Sequence, residues 1–306
     1  MPDSVEEQRA RAERVGARLV LLNDTDYPAQ LRAIPSPPAV LFVRGEIRAE
    51  DSLAVALVGS RRATPYGLHI AEQLAGDLAV RGVTVVSGLA RGVDTAAHRG
   101  ALARGGRTVA VFGSGADVIY PPENRALASR ITERGALVSQ LPMGAPPLAR
   151  HFPLRNRTIA GLALGTVVVE AAEESGALIT AGHAGELGRE VFAVPGNINA
   201  EMSRGANRLI QDGAKLVQGW GDVVSELPEI WRRCLANPPV EPSRPPLEGE
   251  GRRLLELIGL EPVNIEQLIE QSGVPAGQIA ARLLTLELEG WVRQLPGKMY
   301  VQVSSP

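Results

Sequence analysis

A single cysteine, Cys234, stands in 306 residues, which excludes an intrachain disulfide and any cysteine-based metal cluster. Histidine is almost as scarce. His69, His98, His151 and His183 form no HExxH or other close ligand pair, so no metal site is expected. Aromatic residues make up only 4% of the chain. No apolar run reaches the length of a membrane span. Neither sign of charge dominates: 32 Lys and Arg stand against 34 Asp and Glu, a formal net charge of −2. Bulk charge therefore announces no polyanionic partner, although a neutral chain can still carry a local basic patch. The N-terminus, MPDSVEEQRA, is polar and acidic and does not read as a signal peptide. These absences give the expectation of a soluble, cytoplasmic protein that needs no metal, cofactor or membrane.

What is present is regular. Hydrophobic residues are 44% of the chain, enough for one substantial core and a small second domain. Glycine and proline are raised, at 33 and 23 residues, and many glycines close an apolar run, as at strand ends. Residues 1–20 are Arg/Glu/Ala-rich and read as a short N-terminal extension, one helix or frayed. Leu41 to Arg44 is a short strand. From there apolar runs alternate with helical spacing. The strands are Val55–Gly59, Val83–Ser87, Thr108–Gly113, Ala136–Ser139, Thr166–Glu170 and Glu190–Val194, with Lys215–Val217 last. The helices between them are Leu68–Val80, Asp94–Ala103, Asn124–Arg134, Arg157–Ala163 and Asn207–Gln211. Continuous apolar strands alternating with helices predict an α/β fold, an extended Rossmann-like and mostly parallel sheet over 21–228. Right-handed crossovers would gather all strand C-ends on one edge, where open sheets bind ligands.

A break follows at 237–249, where five prolines predict a stiff linker. Residues 250–306 then read as a small C-terminal winged-helix domain. Its helices are Arg252–Ile258, Ile265–Gln271 and Ala276–Leu288, followed by a hairpin from Gly290 to Gln302 with Pro296-Gly297 at the turn. Asn264 and Ser272 stand where helix caps are useful.

The chemistry-bearing residues fall at the strand ends. Gly59-Ser60-Arg61-Arg62 follows the first strand, with N–H groups and two arginines able to cradle a phosphate. It lacks both GxGxxG and a Walker lysine. Ser87-Gly88-Leu-Ala-Arg91-Gly-Val-Asp94 follows the second strand. Asp94 and His98 are four apart on one helix face, an arrangement that more often holds a loop or helix start than acts as an acid–base pair. Gly113-Ser114-Gly115 follows the third strand. His151-Phe152-Pro-Leu-Arg155-Asn156-Arg157 interleaves one aromatic with basic and amide groups, the two elements that single-stranded nucleic acid sites use. No Asp or Glu occurs between Met143 and Val169. Glu173-Glu174-Ser175-Gly176-Ala-Leu-Ile-Thr180 supplies loop and cap groups, and its carboxylates are expected to pair with pocket arginines. Together these loops describe a pocket for a polyanion or a nucleotide, and the residues alone do not choose between them.

The same segments resemble the motifs of the DprA/Smf family. They are Val58-Gly-Ser-Arg61, Ser87 to Asp94 with His98, Phe152 to Arg157, Glu174 to Thr180, Pro195-Gly-Asn197, and Gly205-Ala-Asn207 with Leu209-Ile210. They occur in the family's order over roughly residues 20–220. The resemblance implies a cytoplasmic bacterial protein that binds single-stranded DNA in natural transformation, protects incoming strands and helps load the RecA recombinase. It implies a homodimer formed through the Rossmann-like domain, and no enzymatic turnover. It places Arg61, Arg91 and the Phe152–Arg157 segment against DNA, with Gly59, Ser60, Ser87, Gly88, Gly113 and Ser114 giving backbone or hydroxyl contacts. The C-terminal piece resembles the family's winged helix, but residues 244–306 hold six Lys/Arg against eight Asp/Glu. That balance favours a protein partner over a grip on duplex DNA. Many members begin with a sterile-alpha-motif type of domain, whose function is not carried over to this chain. An alternative is a nucleotide hydrolase of the lysine-decarboxylase-like phosphoribohydrolase type. Of that group's PGGxGTxxE motif only Gly165-Thr166 and Glu170 are kept.

Overall fold

The structure, a computed structural model, describes residues 4–236, 247, 249–259 and 262–302. These form two compact units, separated within the Pro-rich segment. That segment, expected as a linker over 237–249, lies almost wholly outside the described residues.

The large unit opens with α1 (Val5–Arg14) and β1 (Ala17–Leu21), then α2 (Ala29–Arg32) and β2 (Val40–Gly45). The repeating pattern follows: β3 (Ala54–Val58), α3 (Pro65–Ala79), β4 (Thr84–Ser87), α4 (Val93–Ala103), β5 (Thr108–Val111), α5 (Arg125–Arg134) and β6 (Ala136–Ser139). Its second half is α6 (His151–Leu162), β7 (Gly165–Val168), α7 (Gly176–Glu186), β8 (Glu190–Ala193), α8 (Glu201–Gln211), β9 (Lys215–Leu216), α9 (Trp220–Glu226) and α10 (Glu229–Arg232). The strands make one nine-stranded sheet in the order β1-β2-β6-β5-β4-β3-β7-β8-β9. From β6 to β9 all neighbours are parallel, while β1 and β2 run antiparallel at one edge.

Both faces of the parallel strands are covered, which is why β3 to β7 read as unbroken apolar runs. One face packs Val86, Val109 and Val138 beneath α6 and α7, with Ile159, Leu162, Ala177 and Ala181 above them. The other packs Val55, Leu57 and Val85 against α3 and α4 through Leu74, Leu78, Val93 and Ala97. Helices α3 and α4 touch backbone to backbone. A Cβ on Gly100 would lie 2.0 Å from the Glu72 carbonyl oxygen.

Three expectations need correction. The stretch before residue 21 is no appendage: α1 is capped by Ser4, and β1 pairs with β2 from Ala17↔Arg44 to Leu21↔Val40. Its polar composition hides this, because only Ala12, Ala17 and Val20 are buried. The helix expected from Arg157 begins six residues earlier, at His151. Pro153 falls in its first turn, where a missing N–H is harmless. The short helix expected from Asn207 likewise starts at Glu201.

The small unit holds α11 (Glu250–Leu257), β10 (Val263–Asn264), α12 (Ile265–Ser272), α13 (Ala276–Leu288), β11 (Val292–Leu295) and β12 (Met299–Gln302). Its strands pair in the order β10-β12-β11, and Leu254, Ile258, Leu268, Ile279, Leu283 and Leu286 fill its centre. Asn264 caps α12 as expected, accepting from the Glu266 N–H at 2.9 Å. Ser272 does not cap α13. It accepts from the Val274 N–H, and Pro275 takes the cap position.

Asp94 and His98 are not an acid–base pair. His98 is fully buried in α4 and shares a 2.7 Å hydrogen bond between Nδ1 and Thr108 Oγ1. The Thr108 hydroxyl donates onward to the Val85 carbonyl, so Nδ1–H is the donor to it. Burial, helped by the Arg155 charge, pushes His98 down to about 3. Its folded state is therefore neutral. A depressed folded value means that this stability is present above the ordinary value of 6.5 and is lost as pH falls towards 3. Denaturant titrations from about pH 6.5 to about pH 5 should show a loss approaching 1.4 kcal/mol per pH unit, flattened in His98→Gln. Gly100→Ala should cost about 1–3 kcal/mol of unfolding free energy in the same assay, because neither backbone can retreat.

Candidate functional site

The strand order reverses at β3: β4, β5 and β6 lie to one side of it and β7, β8 and β9 to the other. The chain after β3 enters α3 on one face of the sheet, and the chain after β7 enters α7 on the opposite face. The two loops diverge and leave a crevice at the carboxyl ends of the strands. An open cleft of about 700 Å³ occupies it. Gly59, Ser60, Arg61 and Arg62 line it from the β3 loop, Phe152, Arg155 and Asn156 from α6, and Ser175, Gly176 and Thr180 from the start of α7. A recess of about 20 Å³ adjoins it. Gly88, Arg91, Gly113 and Ser114 line that recess, and Arg61, Phe152 and Arg155 border both hollows. Fourteen of the sixteen expected site residues thus converge on one edge, and Ser87 and Arg157 do not.

Their roles differ. Arg61, Arg62 and Arg91 are exposed cations. The Arg61 guanidinium lies 4.9 Å from the centre of the Phe152 ring, and Arg91 pairs with Glu123 at 2.5 Å. Tyr120 is 38% exposed, with its ring centre 6.2 Å from that of Phe152, so two aromatic rings sit among three arginines. The N-terminus of α7 opens into the same cleft, with Ser175 capping the Ala177 N–H. The N–H groups of its first turn carry partial positive charge.

Arg155 is different in kind, being only 4% exposed. Its Nη1 donates to the carbonyls of Gly88 at 2.5 Å and Val111 at 2.7 Å, tying together the ends of β4 and β5. Its Nε donates to Asn156 Oδ1. Burial lowers it to about 10, against the pull of Asp94. Asp94 is buried too and accepts the N–H groups of Gly88 and Ala90. Burial pushes its carboxyl up, while Arg155 and those two N–H groups hold it down. Arg155 is therefore a buried strut, not a cation presented to solvent. Glycine is required beside it, since a Cβ on Gly88 would lie 2.3 Å from Nη1.

Several expected contacts are engaged elsewhere. Ser87 is fully buried and its hydroxyl donates to the Leu57 carbonyl. The Ser114 hydroxyl donates to the Val118 carbonyl, and its own carbonyl accepts the Ser139 hydroxyl. Arg157 Nη2 donates to the Pro35 carbonyl, away from the cleft, because it falls on the far side of α6 from Arg155. Asn156 bridges α6 to the Gly176 carbonyl. Glu174 lines the cleft, but neither it nor Glu173 pairs with an arginine among the described residues. Glu170 is buried and accepts the N–H and hydroxyl of Thr64 at 2.8 and 2.6 Å, anchoring the start of α3. Among the described residues no group of three or more His, Cys, Asp and Glu stands together to hold a metal ion, and no helix is long and apolar enough to cross a membrane. Sequence reasoning missed Tyr120 and Met202 in the walls. The only signal for Tyr120 was its place before Pro121-Pro122.

Residues 18–228 match the family described as DNA recombination-mediator protein A, and residues 238–298 match the DprA winged helix domain. Protein Smf of Escherichia coli is 40% identical over 299 residues, covering 96% of this chain and 80% of that protein. DNA processing protein DprA of Bacillus subtilis is 40% identical over 215 residues, 70% of this chain and 72% of that protein. The crystal structure of DprA from Streptococcus pneumoniae superposes with a TM-score of 0.66 at 43% identity, covering 69% of this chain and 75% of that one. A DprA structure from Helicobacter pylori, reported for its single-stranded DNA binding mode, gives 0.61 at 28% identity, covering 68% and 94%. By its fold, its strand-end motifs and these matches, the chain belongs to the DprA/Smf family, with a Rossmann-like domain followed by a winged helix.

Proposed function

We propose that this chain binds single-stranded DNA across the cleft at the β3–β7 switch point, without catalysis. In this reading it protects incoming strands during natural transformation and, as a homodimer in the cytoplasm, offers them to the RecA recombinase. The observation that carries the reading is the placing of Arg61 and Arg91 beside the half-buried ring of Phe152 and the exposed ring of Tyr120, with Arg62 along the same cleft. Exposed guanidinium groups neutralise phosphates, and a ring accepts the face of any base. The N-terminus of α7 offers a further anion contact. Phosphate contacts do not read bases, so little sequence preference is expected. Two clefts in a dimer would raise avidity on one long strand. The hydrolase alternative requires Glu170 to face a substrate, and its carboxylate is instead closed against Thr64. Similarity to DNA processing proteins, and to a Helicobacter pylori structure reported for its single-stranded DNA binding mode, supports the DNA reading over a small nucleotide.

Fluorescence anisotropy with a labelled strand of about 30 nucleotides tests the proposal. The full chain should prefer the single strand to its duplex, with affinity falling as salt rises. Arg61→Ala/Arg91→Ala should weaken binding and reduce the slope of log affinity against log salt by about 0.7 for each phosphate contact removed. No single-strand binding by the full chain would overturn the reading.

Phe152→Leu separates stacking from charge. It should cost about 1–3 kcal/mol of binding free energy per stacked base while leaving the salt slope unchanged. A reduced salt slope in this variant would show that the ring serves only to hold Arg61.

A further inference from the structure

Helix α13 is apolar on two opposite faces. Ile279, Leu283 and Leu286 point into the small unit's core. On the other side Gly277, Ala281, Leu284 and Leu288 fall within an arc of about 60°, at 3.6 residues per turn. All four are exposed, Leu284 by 58% and Leu288 by 81%. A helix apolar on both faces is normally covered on both. No charged residue lies in this arc. Arg282 and Glu289 fall on its flanks, and Glu287 accepts the Gln294 N–H of the wing at 3.0 Å. This is the helix that a DNA-gripping winged helix would lay in a groove, and the face it would use is greasy rather than basic.

The geometry points to a second copy of this chain as the occupant, held by α13 against α13 about a two-fold axis. The stripe is complementary to itself. Turned antiparallel about a centre between Arg282 and Leu283, Gly277 meets the partner's Leu288 and Ala281 meets the partner's Leu284. Small faces large at both levels, in both directions, as an isologous interface requires. The same register sets Glu287 and Glu289 level with the partner's Gln278 and the partner's Ala276 rather than with the partner's carboxylates, and leaves Arg282 beside the axis on the flank turned away from the seam. The small residues are not demanded by the domain's own packing, since a Cβ at Gly277 meets nothing within 4 Å. They leave room for leucines that the domain itself does not supply. One helix pair buries less than the roughly 1,200–2,000 Å² of a stable interface, so the contact is weak alone. It gains strength wherever copies are already held close. The inference does not depend on the proposed DNA role.

Disulfide trapping on the full chain reads this contact whether or not another interface joins the copies. In a Cys234→Ser background, chains carrying Ala281→Cys are mixed with differently tagged chains carrying Leu284→Cys and mildly oxidised. A mixed disulfide should form about tenfold faster than with Gln271→Cys, exposed on α12, in place of Leu284→Cys. Adding Leu288→Glu to both chains should abolish the excess, and the exposed position lets the variant fold. Sedimentation velocity supplies the second arm. Ala281→Leu alone should weaken self-association, and Ala281→Leu/Leu284→Ala, which swaps large for small, should restore it. Trapping no faster than the Gln271→Cys control, or no recovery in the swapped variant, would overturn the proposal.

Discussion

The candidate site depends on one buried charge. Arg155 enters the sheet's carboxyl edge from α6 and holds two strand-end carbonyls at once, those of Gly88 and Val111. Asp94 answers it from α4 and gathers the Gly88 and Ala90 N–H groups. A buried cation is tolerable only when its hydrogen bonds and countercharge are supplied in full. Here they come from the loops that form the recess. The positions of Arg91, Gly113 and Phe152 follow from this arrangement, because each lies on or beside a loop tied to it. The ring of Phe152 sits 5.6 Å from the Arg155 guanidinium on one count and 4.9 Å from that of Arg61 on another, so one side chain is fixed by the strut and in turn seats an exposed cation.

Much of this was legible in the sequence, and the boundary of what was legible has a physical reason. Parallel strands buried on both faces must be unbroken apolar runs, so β3 to β8 stood out. At the antiparallel edge β2 was legible, at Leu41 to Arg44, and β1 was not. Strand β1 follows the charged α1 and carries Arg18 within it, and only Ala17 and Val20 of its five residues are buried, so this stretch resembled a surface helix. Motif spacing picked out residues that the fold brings together at one sheet edge, but residue type could not tell a presented arginine from a buried one. Arg61, Arg155 and Arg157 have the same chemistry. Only the helical turn of α6, which sends Arg155 inward and Arg157 towards Pro35, separates their roles. The hydroxyls of Ser87 and Ser114 turn inward for a related reason: strand ends need internal hydrogen-bond partners before they need ligands.

The two units solve different problems with the same rule of covering apolar surface. In the large unit each helix of the α/β pattern is matched to a sheet face, and the remaining hollow is lined with polar groups at the switch point. In the small unit the helix budget is shorter. Three helices and a three-stranded sheet close one core, and α13 is left with an apolar side that its own domain does not use.

The ends of the nine-stranded sheet carry a further consequence. An open sheet presents two edges, each a template onto which another chain can add a strand. At one end β9 is only two residues long, with Lys215 tethered to Glu226 beside it. At the other, β1 carries Arg18 paired to Asp26, and α1 runs directly into it. Neither edge offers a long, flat, uncharged ladder. Strand addition is therefore disfavoured at both ends of this sheet by the shortness of one edge and the charge on the other.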